Sequence, residues 1–531
     1  MLQDHLLLIL SLLFVVIILA MLSEKLRVSY PIFLLIGGLI ISLVPGIPQI
    51  RLEPDTVFII FLPPLLYAAA WSTSWRDFWK YRRPIGLLAF GLVIFTAGAV
   101  AFTSHWMIPD FSLAMGFLLG GIVSPPDAVA AASVLQNLKI SKRVATVLEG
   151  ESLVNDASSL IVFRFALAAI FTGQFTLWKA GLEFLLVASM GIVVGLVLAL
   201  LIYALHRWLP TTDSVDTTIT LLSPYLMYIT AEHFHYSGVL AVVSGGLFLA
   251  YHSHNVFTYN SRLQAQSVWK ILVFLLNGVV FILIGLQLPG IIGGLEEYSL
   301  RMAVVYGVVI SLVAILVRLA WIYPAAYVPR WLSKGIRERE PNPGWKDVLV
   351  VGWSGMRGVV SLASAFAIPL TLSGETAFPH RNLILFITFI VILFTLVLQG
   401  LSLPLLIRKL QIEVKENESE QKLSIRLHLA KAVLKYIDAE YSEDAASIDA
   451  FNRLKARYER MIEITNKKLL REETEEAPSP DFLPRYRKLL VELVTVQRRE
   501  LAIMRRDNLF GEELLRNKEF ELDLEEARFN R

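Results

Sequence analysis

Apolar stretches of nearly bilayer length recur along this chain, and they leave few architectures open. A helix needs about 20 apolar residues to cross the hydrocarbon core. Thirteen candidate spans occur, at 5–22, 30–46, 55–72, 85–107, 112–135, 146–172, 180–206, 216–232, 236–251, 267–293, 299–328, 346–371 and 383–407. In lipid every backbone amide must be paired within the protein, which makes each such stretch a helix. Of the 531 residues only 18% are charged and 55% are hydrophobic, against about 25% charged in soluble domains. The charge is also gathered at one end: 25 of the 49 Lys+Arg and 26 of the 46 Asp+Glu follow Ile407. The chain therefore reads as an all-α polytopic membrane protein. Its transmembrane domain is placed at 1–407 and a charged helical cytoplasmic C-terminal domain at 408–531.

The net charge of +3 is a small difference of large numbers and gives no reason to expect nucleic acid as a partner. Cysteine is absent, which rules out disulfides, Cys-ligated zinc and thiol chemistry. His252 and His254 are expected to flank a solvated loop. Nothing calls for a cofactor or an enzymatic reaction. The opening "MLQDHLLLIL" lacks a basic leader, so no cleaved signal peptide is expected.

Loop charge orients the spans. Loops after odd-numbered spans carry sixteen Lys and Arg, among them Arg82, Arg83, Lys142, Arg143 and Arg330; loops after even-numbered spans carry four. The positive-inside rule puts the odd loops in the cytoplasm, the N-terminus outside and the tail inside the plasma (inner) membrane. Two spans are interrupted. Span five contains "GGIVSPPDAVA", where Pro125-Pro126 cannot continue the backbone ladder, and span twelve contains "GWSGMRGVVS". They are seven spans apart, an odd number, so they enter from opposite sides, as two inverted six-helix repeats joined by a linker would. Matched interruptions of this kind point to a transporter's midplane site.

A charge at the bilayer centre costs roughly 2.5–3.5 kcal/mol even on the lenient insertion scale, so charges inside the spans need a reason. Asp127 follows the double proline and is placed to cap the half-helix that restarts at Ala128. Carbonyls freed near Pro126 would be neutral oxygen ligands. In span six, "LEGESLVNDASSL", helical spacing stacks Ser152 on Asp156, and Glu151 on Asn155 on the adjoining face. Hard monovalent cations prefer such oxygen ligands. Glu149 reads as an entrance residue and Arg164 as half of a structural pair. Arg318 lies about 15 Å deep at 1.5 Å per residue and requires an anionic partner, for which Glu151 is the candidate. Arg357 could form a similar pair or offset the negative ends of half-helices.

"LEGESLVNDASSLIVF", "GGIVSPPDAVAA", "FLPPLLYAAAW", "FLLNGVVFILIGLQLP" and "GWSGMRGVVSLASAFAIP" occur in that family's manner in the monovalent cation:proton antiporters, and the chain resembles their bacterial sodium/proton exchanger branch. The resemblance spans nearly the whole membrane domain, and "RRDNLFGEELLRNKEFELDLEEARF" is similar to the C-terminal region of bacterial members. It implies about 13 helices with crossed broken helices in spans five and twelve, a homodimer and elevator-like alternating access. Under it, Asp156 corresponds to the ion- and proton-binding aspartate, Asn155 to its neighbour, Asp127 to the aspartate of the first broken helix and Ser152 to a ligand hydroxyl. Glu151 and Arg318 fall at a structural ion pair. The Asn-Asp pair resembles the electroneutral type. Two departures stand out: Pro126, offering only a carbonyl, replaces a common Thr, and Ala68 replaces a common acidic residue.

The function expected is exchange of a monovalent cation, Na⁺ or alternatively Li⁺ or K⁺, for H⁺, serving pH homeostasis. A K⁺/H⁺ antiporter of the same fold and a cation channel are the alternatives. An intramembrane aspartyl protease would need a Gly-rich setting that "VNDASS" lacks. In the tail, Leu423, Leu427, Ala430, Leu434, Ile437 and Tyr441 repeat at intervals of four and three, a helix-packing stripe. Further helices are expected at 445–472 and from about 485, with no nucleotide-binding motif among them.

Overall fold

A computed structural model describes residues 2–529 apart from 27–28, 45–53, 136–137, 139, 174–176, 296–297, 341, 373–376, 412–416, 442–448, 471–481 and 508–511. The chain forms two compact units, Met1–Val414 and Lys415–Arg531. In the first, the helices are α1 (Leu2–Leu26), α2 (Tyr30–Ser42), α3 (Pro54–Ser72), the short α4 (Trp75–Lys80) and α5 (Arg82–Gly86), and, after a π-helical stretch at Leu87–Leu92, α6 (Val93–Met107). There follow α7 (Leu113–Val123), α8 (Ala128–Leu135), α9 (Lys142–Thr172), α10 (Leu177–Trp208), α11 (Asp213–His233), α12 (Gly238–Val256) and α13 (Tyr259–Leu286). The last are α14 (Leu288–Gly293), α15 (Leu300–Leu332), α16 (Lys334–Arg339), α17 (Trp345–Trp353), α18 (Val359–Phe366) and α19 (Arg381–Leu410).

Each predicted stretch contains a helix, and the two interrupted ones contain a pair of half-helices, α7/α8 and α17/α18. Among the described residues, seven helices are long and apolar enough to cross a membrane, and three shorter apolar ones stand beside them. Hydroxyl side chains start many of them: Ser112, Ser141, Thr212, Ser237, Thr258 and Ser299 each accept the amide three residues on, satisfying a donor that the helix cannot. Large apolar side chains such as Phe14, Phe102 and Leu185 are exposed, as surfaces facing lipid require.

Close backbone approach fixes α13 against α2. A Cβ at Gly285 would lie 2.4 Å from the Leu35 carbonyl oxygen, and one at Gly38 2.4 Å from that of Ile282, so only glycine permits this separation. Helix α9 carries an unusual load for a buried helix: Glu151, Asn155, Asp156, Ser158 and Ser159 are all buried.

Two sequence expectations need correction. His252 and His254 do not flank a loop, because α12 runs on to Val256. His252 packs on Phe248 and Tyr203 and hydrogen-bonds the Phe248 carbonyl 3.0 Å away. The apolar run ends before the helix does, and its polar last turn resembles a loop in sequence. In the second unit, α20 (Asn417–Glu440), α21 (Asp449–Leu470) and α22 (Phe482–Arg506) lie near the predicted positions, and α23 (Glu512–Phe529) is an additional helix. Leu427, Ala430 and Ile437 of the stripe are buried, and Tyr441 stacks on Phe451.

Outside the spans, Arg83 grips Glu340 with two parallel bonds, Nε to Oε1 at 2.9 Å and Nη2 to Oε2 at 2.5 Å. The Arg83 guanidinium holds this carboxyl below the usual glutamate range. A depressed carboxylate contributes stability above its unfolded-state value and loses it as pH falls through the depressed one. The clamp is therefore expected to stay closed at neutral and mildly acidic pH and to open only below the ordinary glutamate range. Hydrogen exchange across 333–340 should be flat from pH 8 to about 6 after correction for intrinsic rates, and Glu340→Gln should raise it throughout.

Candidate ion-binding site

The two interruptions meet. Prolines at 125 and 126 supply no amide hydrogens, α7 ends at Val123, and the Asp127 N–H donates to the Met356 carbonyl at 2.6 Å. The Asp127 carboxylate turns back to accept the Val129 N–H at 2.8 Å and the Ala130 N–H at 3.3 Å, capping α8 as the sequence placed it. Its Oδ2 lies against Gly358, the residue that precedes α18. One carboxylate thus faces the positive ends of both half-helices that restart.

Its seat demands glycine. A Cβ at Gly358 would sit 1.7 Å from Asp127 Oδ2, a covalent rather than a contact distance. Gly358→Ala must push the carboxylate away, and a shift of about 1 Å in a positioned group can lower a rate roughly 10²-fold. Cation-driven proton movement in vesicles should fall by about that factor in this variant, with the protein still inserted.

Arg357 serves the opposite ends. Fully buried, it donates to the Val123 carbonyl at 3.1 Å, to Gly355 and to Ala314 at 3.4 Å, while its own N–H is held by Thr395 Oγ1 at 3.1 Å. Its side-chain partners are backbone carbonyls at the end of α7, just beyond α17 and within α15. Arg318 lies on α15 and meets Glu151 in a two-pronged pair, Nη1 to Oε1 at 2.5 Å and Nη2 to Oε2 at 2.8 Å. The two side chains are each 1% exposed, and Arg318 also donates to the carbonyls of Val351 and Gly352, where α17 ends.

Asn155 lies one residue before Asp156 on α9, and its Nδ2 donates to the Pro126 carbonyl at 2.9 Å. That oxygen, expected as a ligand, already holds the break against α9. Asp156 is buried, and Asp127, Ser152 and Asp156 line one cavity of about 200 Å³ with the exposed Glu149 at its edge. The α3 wall is mostly apolar, with Leu62, Leu65, Leu66 and Ala69, and ends at Ser72. Arg164 pairs with Glu232 at 2.6 Å on an exposed part of α9, apart from the cavity residues. Three further polar residues on the cavity wall went unnoticed in the sequence: Ser72 at the end of α3, Asn277 of α13 and Ser361 of α18. The available signal was a lone amide in an otherwise apolar run, inside the quoted "FLLNGVVF".

Two broken helices touching beside buried carboxylates form the arrangement that many secondary-transporter folds build at the bilayer midplane. The model for the transmembrane sodium/hydrogen exchanger matches residues 9–409, and this chain belongs to that family. It is 34% identical over 416 residues to a sodium, potassium, lithium and rubidium/H⁺ antiporter of Bacillus pumilus, covering 77% of this chain and 62% of that one. The counterpart in Bacillus subtilis is 36% identical over 391 residues, with 71% and 58% covered, so the match spans about 60% of the length of these relatives. The Na⁺/H⁺ antiporter ApNhaP of Aphanothece halophytica is 30% identical over 420 residues, with 78% and 76% covered. In fold, the chain is similar to the sodium proton antiporter MjNhaP1 of Methanocaldococcus jannaschii, at a TM-score of 0.59 and 20% identity, covering 78% of this chain and 100% of that one.

Proposed function

We propose that this protein exchanges a monovalent cation, Na⁺ foremost, for H⁺ across the plasma membrane, one for one. The observation that carries this reading is the placement of Asp156 and Asp127 on one cavity at the meeting point of the two broken helices. Asp156 is the exchanging group. It carries either a proton or the cation, and each loaded form is neutral at that carboxyl. The empty anion is costly to move through an apolar barrier, so the unloaded carrier stalls and exchange is obligatory.

Asp127 and Ser152 contribute oxygens to the cation, and the Pro126 carbonyl contributes through its second lone pair. Asn155 in place of a second ionisable group keeps the cycle electroneutral. Glu151 and Arg318 hold helices together, and Arg357 supports the breaks. Thirteen spans in two inverted repeats, an outside N-terminus, a cytoplasmic tail, a homodimer and an elevator-like movement complete the reading. The Bacillus relatives' names cover Na⁺, K⁺, Li⁺ and Rb⁺, which favours a site that admits more than one alkali cation.

Purified protein in liposomes with an internal pH dye tests this. Imposed Na⁺, Li⁺ and K⁺ gradients should each be compared with and without a clamped membrane potential. A cation-driven pH change that ignores the potential is expected. Flux tracking the potential would refute electroneutrality, and flux without obligatory exchange would favour a channel.

A further inference from the structure

The cavity has a second polar wall that the reading above does not use. Asn277 and Ser361 are each 1% exposed, and neither the Asn277 amide atoms nor Ser361 Oγ make a hydrogen bond of normal geometry. The Tyr30 hydroxyl is near enough to interact with Asn277, but outside that geometry. Asn155 Oδ1, beside Asp156, is equally unpartnered. Buried polar atoms are almost always satisfied, and here those of Asn277 and Ser361 are left unsatisfied on the wall of a single space. That space is bordered by Asp127 and Asp156, and the basic groups beside it are already committed: Arg318 to Glu151, and Arg357 to backbone carbonyls. Among the described residues that line it, neutral polar groups thus face two carboxylates without a Lys or Arg between them.

We infer that Asn277 and Ser361 supply neutral oxygen ligands to the transported cation, forming a half of the site opposite Asp156. This rests on the antiport reading of the same cavity. Neutral amide and hydroxyl oxygens beside a carboxylate suit a hard cation, and among the described residues no group of His, Cys, Asp and Glu is set to hold a transition metal. The close packing of α13 on α2 through Gly38 and Gly285 holds the helix that carries Asn277 in place, so its amide is a fixed ligand and a natural discriminator of ion size. The competing explanation is that water alone satisfies these groups, since a cavity of this size can hold several molecules.

The test has two independent readouts. In proteoliposomes, Asn277→Ala and Ser361→Ala should each raise the half-saturating Na⁺ concentration about tenfold, the effect of one lost bond to a charged group. The maximal rate should be largely kept, and the order of preference among Li⁺, Na⁺ and K⁺ should change. Ser361→Thr retains the hydroxyl and should restore near-native affinity. The natural chain has no cysteine, so Asn277→Cys and Ser361→Cys each create a unique thiol. Its modification by a small methanethiosulfonate in detergent should be slowed by Na⁺ and not by choline.

Native affinities in both alanine variants, together with thiols that Na⁺ does not protect, would overturn the inference in favour of water. Should an alanine variant fail to insert, protection of the thiols decides alone. If the wild-type protein exchanges nothing but Na⁺ still protects both thiols, the antiport reading fails and the ligand assignment stands.

Discussion

Asp156→Asn is expected to abolish cation-driven proton movement, to the level of protein-free liposomes and by at least about 10²-fold, the low end of what a positioned proton-transfer group contributes. The substitution keeps the volume and one oxygen of the side chain while removing the ability to carry a proton at neutral pH. The fold should survive it. The hydrogen bond that Asp156 makes to its surroundings in α9 is through its backbone carbonyl, which accepts Ser159 Oγ at 2.9 Å and is untouched. Asp127→Asn makes the informative comparison. Asparagine is as good an N-cap as aspartate, so the bonds to the Val129 and Ala130 amides persist, and the loss is confined to a negative charge beside the cation. That variant should retain measurable exchange at a raised half-saturating cation concentration. A pH dye inside liposomes reads both. Full exchange by Asp156→Asn would remove this residue from the mechanism, and equal loss in both variants would mean that the two carboxylates share the proton.

The contrast between these residues and Asn277 shows what a sequence of this kind makes legible. Asp127, Glu151, Asp156, Arg318 and Arg357 stand out because an ionised group in a span is expensive, so each demands a partner even before one can be seen. Pro125-Pro126 stands out for a similar reason, since two missing amide hydrogens must interrupt a helix. Asn277 and Ser361 carry no such signal: neutral polar side chains are common in membrane helices and usually find a partner on a neighbour. Only the three-dimensional arrangement reveals that theirs is missing. Partner identity is the other blind spot. Depth and charge could nominate Glu151 for Arg318, but could not distinguish an anion from a set of carbonyls for Arg357, because carbonyls leave no mark in the sequence. The extension of α12 through His252 and the added helix α23 were hidden by polarity, which reads alike in a loop and in an exposed helical turn.

Breaking the Glu151–Arg318 pair should be the most damaging change to the fold. Removing one member of a buried pair leaves the other charged and unsolvated, at a cost of about 3–5 kcal/mol. Arg318→Met adds a second injury, because the Val351 and Gly352 carbonyls lose their donor where α17 ends. Glu151→Gln keeps a hydrogen-bonding oxygen for the guanidinium and should be milder. Both should lower the temperature at which the detergent-solubilised protein aggregates, with Arg318→Met the lower of the two. The double variant Glu151→Leu/Arg318→Met leaves no stranded charge, since apolar replacement of a buried pair is often neutral or stabilising. It should regain much of the loss, short of the share due to the two carbonyls. The same double variant separates scaffold from substrate site. If the pair only fastens α9 to α15 and the end of α17, exchange should return together with thermal stability. Recovered stability without recovered exchange would instead make Glu151 a participant in ion or proton passage.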